Sequence, residues 1–138
     1  MEKYHKTDIA PIEKENERDE NYEAKNPQID SERTSNNYHL VRRDDSYTEY
    51  INNRLAEEGI KPRKDAVLMC SFVITSDGDY FKGISLEKEK QFFADATIYF
   101  ARRYGRENII SAVVHKDETT PHLHLNLMPI SNGRLCAR

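Results

Sequence analysis

Two neighbouring runs, 109-IISAVVH-115 and 122-HLHLNLMPI-130, constrain this chain more than any others. The second alternates strictly. His122, His124, Asn126 and Met128 fall on one side of an extended strand, and Leu123, Leu125 and Leu127 on the other. Only a sheet with one face packed against apolar partners uses such a pattern. The link 116-KDETTP-121 is short, so the two runs are expected to pair antiparallel. His115, at the end of the first run, would then lie beside His122 or His124. Pro121 restricts Thr120 to extended geometry and helps set where the second strand starts.

The rest of the chain supplies partners for that sheet. Asp8 can cap a helix over about 9–20, with Pro11 tolerated in its first turn. The stretch 24-AKNPQIDSERTSNN-37 reads as a loop, and 38-YHLV-41 as a short strand. Tyr47, Tyr50, Ile51 and Leu55 recur at helical spacing, which predicts an amphipathic helix over about 46–58, ending before Gly59. The apolar, β-branched run 66-AVLMCSFVIT-75 predicts a strand buried on both faces, followed by a turn at 76-SDGD-79. Ser85 caps 86-LEKEKQFFADATIYFARRY-104, whose Phe93, Ala96, Phe100 and Tyr104 form one stripe, and Gly105 ends it. The pattern as a whole predicts an α/β sandwich: a mainly antiparallel sheet with helices packed on one face, in a single domain over 1–138. At the ends, 1-MEKYHK-6 reads as the tail of a strand, and 134-RLCAR-138 follows a turn with no helix to close a domain. Together they suggest a piece of a longer protein.

Composition narrows the function classes. Charged residues are 33% and apolar ones 37% of the 138, with a net charge of −3. That balance suits a folded soluble domain and does not advertise nucleic-acid binding, which usually needs a basic surface. No apolar run reaches the roughly 18 residues of a membrane span, and no signal-peptide pattern is present. The expected location is the cytoplasm. Cys70 and Cys136 are expected to be reduced thiols.

The histidines carry the chemistry. Three of the chain's five lie within 115-HKDETTPHLH-124. Presented from one side of a rigid strand pair, three neutral imidazoles are a ligand set for a catalytic divalent metal with open positions. Asp117 and Glu118 sit in the connecting loop, as general base, fourth ligand, or the partner that holds an imidazole tautomer. The spacing is not H-E-x-x-H on a helix, so a zincin protease is disfavoured.

The pattern H-x-D-E-x-x-P-H-x-H resembles the metal motif of the MobV (Mob/Pre) plasmid mobilisation and recombination relaxases. These belong to the HUH endonuclease superfamily, named for His–hydrophobe–His, here His122-Leu123-His124. Segments 15-ENERDENY-22, 26-NPQID-30, 36-NNYHL-40, 63-RKDAVL-68, 72-FVITSD-77 and 99-YFARRYGRENI-109 resemble stretches in the same order in that family. The resemblance implies an HUH-relaxase-like sheet, short of part of its first strand and of its last helices. It implies metal-dependent nicking and strand transfer on plasmid DNA, single-stranded or hairpin near the nick, at an origin of transfer. It makes His115, His122 and His124 ligands of Mn²⁺ or Mg²⁺, and Glu118 an active-site acid. Arg18 matches the family's H-N-x-R motif, as a phosphate grip. The head of that motif is a histidine nucleophile in the best-studied branch and is Glu15 here, a base for water or an attacking carboxylate. Tyr22 is the alternative, an attacking phenol. Asn37 and Tyr38 match N-Y-x-L and would shape the cleft. Dimerisation is left to regions outside these residues.

Beyond the motif, Arg42 and Arg43 are candidates for phosphate contact. Tyr4, Tyr38, Tyr47, Tyr50, Tyr80, Tyr99 and Tyr104 could stack on bases, although Tyr47, Tyr50, Tyr99 and Tyr104 are expected at the edge of the core. His5 and His39 read as ordinary polar residues. Two other functions fit the same residues: a non-catalytic DNA-binding remnant, with Glu15 marking loss of the nucleophile, and a metal-dependent phosphodiesterase acting on a different substrate.

Overall fold

The alternation in 122–128 is realised at the centre of a five-stranded sheet with strand order β1-β3-β5-β4-β2. The strands are β1 (Glu2–Tyr4), β2 (Tyr38–Val41), β3 (Met69–Ile74), β4 (Ile109–His115) and β5 (His122–Leu127). Every neighbouring pair is antiparallel. The helices are α1 (Ile9–Asn16), α2 (Tyr47–Glu57), α3 (Gly78–Lys82) and α4 (Leu86–Tyr104), and a separate hairpin joins β6 (Ile130–Ser131) to β7 (Arg134–Leu135). This computed structural model describes residues 1–19 and 27–137. Among them no helix is long and apolar enough to cross a membrane.

The leucine side of β5 is sealed by α4. Leu123, Leu125 and Leu127 pack with Phe93, Val114, Ala112 and Cys70 in one apolar cluster. Burying each such side chain contributes on the order of 1.5–3 kcal/mol. The ends of α4 are where its sequence puts them. Ser85 Oγ accepts a hydrogen bond from the Lys88 amide at 3.2 Å, as an N-cap does. Gly105, at φ +98°, lets the chain leave in a conformation that side chains rarely adopt.

Helices reach the other face too. Ile9 of α1 and Tyr47, Ile51 and Leu55 of α2 join Met69, Ile110 and Met128 in a second cluster. Packing on one face therefore describes α3 and α4; α1 and α2 cover the far part of the histidine face. The reason lies just past β5: Met128 continues the polar side with an apolar residue that needs a lid.

Other boundaries differ from the sequence reading. Helix α1 is shorter than 9–20, and Asp8 does not cap it by its side chain; its Oδ2 accepts from the His5 amide at 2.9 Å. The loop expected over 24–37 holds a 3-10 helix at Ser31–Asn36, opened by Asp30 Oδ1 accepting from the Glu32 amide at 3.0 Å. Strand β3 is not buried on both faces. Val73 is 61% exposed: it pairs with His124 on the histidine side of the sheet, beyond the part that α1 and α2 cover. The 76–79 turn becomes the cap of α3, with Asp77 Oδ1 accepting from the Tyr80 amide at 2.8 Å. The helix carries Phe81 onto Phe93, with ring centroids 5.5 Å apart.

Candidate metal centre

The β4–β5 register pairs His115 with His122 and Val113 with His124. All three imidazoles therefore rise from the same side of adjacent strands. Ring centroids are 4.2 Å apart for His115 and His124, and 4.9 Å for His122 and His124. One nitrogen from each ring lies within 4.8 Å of the others.

Hydrogen bonds decide which nitrogen each ring offers. His115 Nε2 is 2.8 Å from the Asn16 carbonyl. A carbonyl only accepts, so Nε2 carries the proton and Nδ1 keeps its lone pair. His122 Nδ1 is 2.7 Å from the Thr120 carbonyl, so Nδ1 carries the proton and Nε2 is the nitrogen left to bind a cation. His124 Nε2 is buried and has no hydrogen-bond partner among the described residues. Leaving such an atom unsatisfied is costly unless something binds it. Glu118 adds to this: its Oε2 faces His122 Nε2 in close contact. A lone pair and a carboxylate oxygen brought together are reconciled by a positive charge between them, a proton or a metal ion. The donor set thus fits a divalent cation, with three imidazole nitrogens and Glu118 beside them. Burial pushes the His115 imidazolium down to about 4, opposed by the hydrogen bond to Asn16 and helped by Arg18. His124 is driven to about 2 by burial and by the neighbouring imidazoles. Both rings are neutral at pH 7, as metal ligands must be.

The remaining sequence candidates fall into different places. Glu15 is exposed at the last turn of α1 and shares the wall of a cavity of about 180 Å³ with His124, Asn126, Ser71 and Val73. Arg18 follows α1 in a left-handed conformation, φ 49°. Its guanidinium is already engaged. Nε and Nη2 donate to Asp117 at 2.9 and 3.1 Å, Nη2 also reaches His115 Nδ1 at 3.2 Å and Glu118 at 3.4 Å, and Nη1 donates to the Glu15 carbonyl at 2.8 Å. Asn37 braces the loop after β4: its Nδ2 donates to Asp117 at 3.1 Å and its Oδ1 accepts from the Lys116 amide at 2.6 Å. Tyr38 is a correction. It pairs with Val114, so it lies on the leucine face, where its hydroxyl donates to Glu89 at 3.0 Å. One residue of strand alternation turns it away from the histidines. Arg42 is exposed and lines a separate cavity of about 340 Å³ with Glu13, Glu17 and His39. Arg43 donates to the Arg106 and Ile109 carbonyls at 3.0 and 2.9 Å. Tyr22 lies outside the described residues. Tyr47 is buried as expected, but Tyr99 is 59% exposed, on the outer side of α4.

Sequence reasoning missed three supports. The Asn16 carbonyl sets the His115 tautomer. Thr34 Oγ1 donates to Asp117 at 2.8 Å, and Arg33 Nη2 donates to the Glu118 carbonyl at 2.8 Å. Nothing in their local spacing announces these roles.

The sequence model of one protein family, described as "Plasmid recombination enzyme" (Mob_Pre), matches residues 1–138. The chain belongs to the Mob/Pre plasmid recombination enzyme family. A plasmid recombination enzyme of a Bacillus species is 37% identical over 139 residues, covering 98% of this chain and 33% of that protein. One from Lactiplantibacillus plantarum is 42% identical over 115 residues, covering 79% of this chain and 31% of its own. This Mob/Pre chain thus spans about a third of the length of the curated relatives it matches. Among solved structures, the Mn-bound MobM relaxase domain in complex with plasmid pMV158 oriT DNA is similar, at TM-score 0.93 and 38% identity over 99% of this chain and 72% of that one. At that similarity the mixed helix and antiparallel-sheet fold of the two is shared.

Proposed function

We propose that this Mob/Pre chain is the metal-dependent core of a relaxase, which nicks one strand of plasmid DNA at an origin of transfer and transfers it. One observation carries the reading: three imidazoles converge from one sheet face, with an unpartnered His124 Nε2 among them, in a chain whose solved relative is Mn-bound and held on oriT DNA. His115, His122 and His124 would hold Mn²⁺ or Mg²⁺. When bound, such a cation supplies Lewis-acid stabilisation of the charge that builds on a reacting phosphodiester.

The chain's own groups divide the remaining work. Glu15 is exposed at the rim of the cavity that reaches His124, so a phosphate seated there lies within its range. It is the first candidate to attack phosphorus or to take a proton from water, and Tyr22 is the second. Glu118 steadies His122 and takes part in proton handling. Arg18 and Asn37 hold the loop that presents Glu118. Arg42 would contact the DNA backbone at a distance from the reacting phosphate. An in-line attack requires the substrate to be single-stranded or extruded near the nick. Work on plasmid DNA puts the protein in the cytoplasm.

The test is incubation with supercoiled plasmid carrying a cognate origin, with Mn²⁺, with Mg²⁺ and with chelator. Conversion to nicked circles with metal alone is expected, and no nicking under any of these conditions would overturn the proposal. A trapped 5′-phosphate adduct released by hydroxylamine would mark an acyl phosphate on Glu15. A resistant adduct would point to Tyr22. Glu15 also motivates a second reading, a DNA-binding remnant without strand cleavage; metal-independent, salt-sensitive DNA binding with no adduct would favour it.

A further inference from the structure

Among the described residues Asp117 hydrogen-bonds none of the imidazoles, yet it is the most enclosed acid near them. It is 0% exposed. Its carboxylate accepts from Arg18 Nε and Nη2, Thr34 Oγ1 and Asn37 Nδ2, at 2.9, 3.1, 2.8 and 3.1 Å. Its carbonyl accepts from the Asp30 amide at 2.6 Å. Two segments far from it in sequence, the end of α1 and the 30–37 stretch, therefore meet on one side chain and its peptide.

The consequence concerns charge. Arg18 Nη2 stands 3.2 Å from His115 Nδ1, the lone pair that this ring offers. An uncompensated guanidinium there would repel any cation arriving at the three imidazoles. Glu118 answers only one edge of it, at 3.4 Å, while its other oxygen faces His122. Asp117 grips the Nε–Nη2 edge bidentately, the geometry in which a guanidinium is held most firmly, and shares Nη2 with Glu118 and His115. Thr34 and Asn37 are neutral donors, so they position the carboxylate without cancelling its charge.

We propose that Asp117 is a positioning residue of the metal centre. It fixes Arg18 beside His115 and supplies the negative charge that allows a divalent cation to bind next to a guanidinium. This rests on the metal-centre reading above. It gives Arg18 a reason for its left-handed backbone: a glycine would adopt φ 49° more easily, but only a long cationic side chain reaches Asp117 from that position.

The experiment is a Mn²⁺ titration, by calorimetry or electron paramagnetic resonance, of the unaltered chain and of Asp117→Asn, Arg18→Met and the double variant. Asp117→Asn is expected to weaken Mn²⁺ binding about ten- to a hundredfold, the usual cost of losing a ligand's supporting partner. Arg18→Met is expected to bind at least as tightly as the unaltered chain. The double variant, which keeps the net charge, should return to within about threefold of it. A merely structural role for Asp117 would leave the double variant no better than Asp117→Asn and would loosen Arg18→Met; either result overturns the proposal. If Asp117→Asn does not fold, Arg18→Met and the double variant still decide: tighter binding by Arg18→Met than by the double variant supports it, and equal binding by those two overturns it. An unaltered chain that binds no Mn²⁺ overturns both this proposal and the metal-centre reading. Normal binding by every variant overturns this one alone.

Discussion

The two sides of β5 take three residues each from one six-residue run and are built by different physics. On one side Leu123, Leu125 and Leu127 meet α4 and need only volume and apolarity. Such a surface tolerates swaps that conserve volume, because dispersion and water exclusion have no direction. On the other, His122, His124 and Asn126 depend on angles. Asn126 is fully buried, with its Oδ1 accepting from Ser71 Oγ and its Nδ2 donating to Ser111 Oγ at 2.9 Å. The comparison teaches that stability and chemistry are separable here along a single strand.

Substitutions can break that separation or sharpen it. The largest stability effect is expected from Leu125→Ala, about 2–5 kcal/mol in denaturant unfolding, with Mn²⁺ affinity of the folded fraction little changed. A large loss of affinity would show that the two sides are coupled. Asn126→Leu comes next. It strands the Ser71 and Ser111 hydroxyls at a cost of roughly 1–3 kcal/mol, read by the same unfolding curve. His122→Ala reverses the profile: Mn²⁺ binding is expected to be lost, while stability shifts by about 1 kcal/mol or less. Retained binding in titration would remove His122 from the ligand set. Thr34→Val takes one neutral hydrogen bond from Asp117 and should cost roughly 0.5–1.5 kcal/mol in thermal or denaturant melts. Tyr99→Phe, on the exposed side of α4, is the control, expected within about 0.5 kcal/mol and with no change in metal binding.

How far the site was legible depends on sequence separation. The histidine platform could be read because its parts lie within 115–124 and obey strand alternation. Helix α4 could be read because Ser85, the Phe93–Tyr104 stripe and Gly105 are local signals. The role of Asn37 was visible only as a cleft-shaping motif position, not as the brace that holds the Lys116 amide. Tyr38 looked equivalent to Asn37 beside it, yet strand geometry sends it to the opposite face. Thr34 sits 83 residues from Asp117, and Arg18 sits 99 residues from it. No periodicity or spacing rule spans such distances.

Taken alone, the order of residues determined the elements whose signals repeat every two or four positions: the strand pair, its apolar and imidazole sides, and the helix that closes the apolar side. Burial drives those choices, and burial patterns are written locally. Only the assembled tertiary structure decided that α1 and α2 roof the far end of the histidine face, that the Asn16 carbonyl selects the His115 tautomer, and that Asp117 gathers Arg18, Thr34 and Asn37. Those contacts are directional hydrogen bonds between distant segments, and they exist only once the backbone has brought donor and acceptor within about 3 Å of each other.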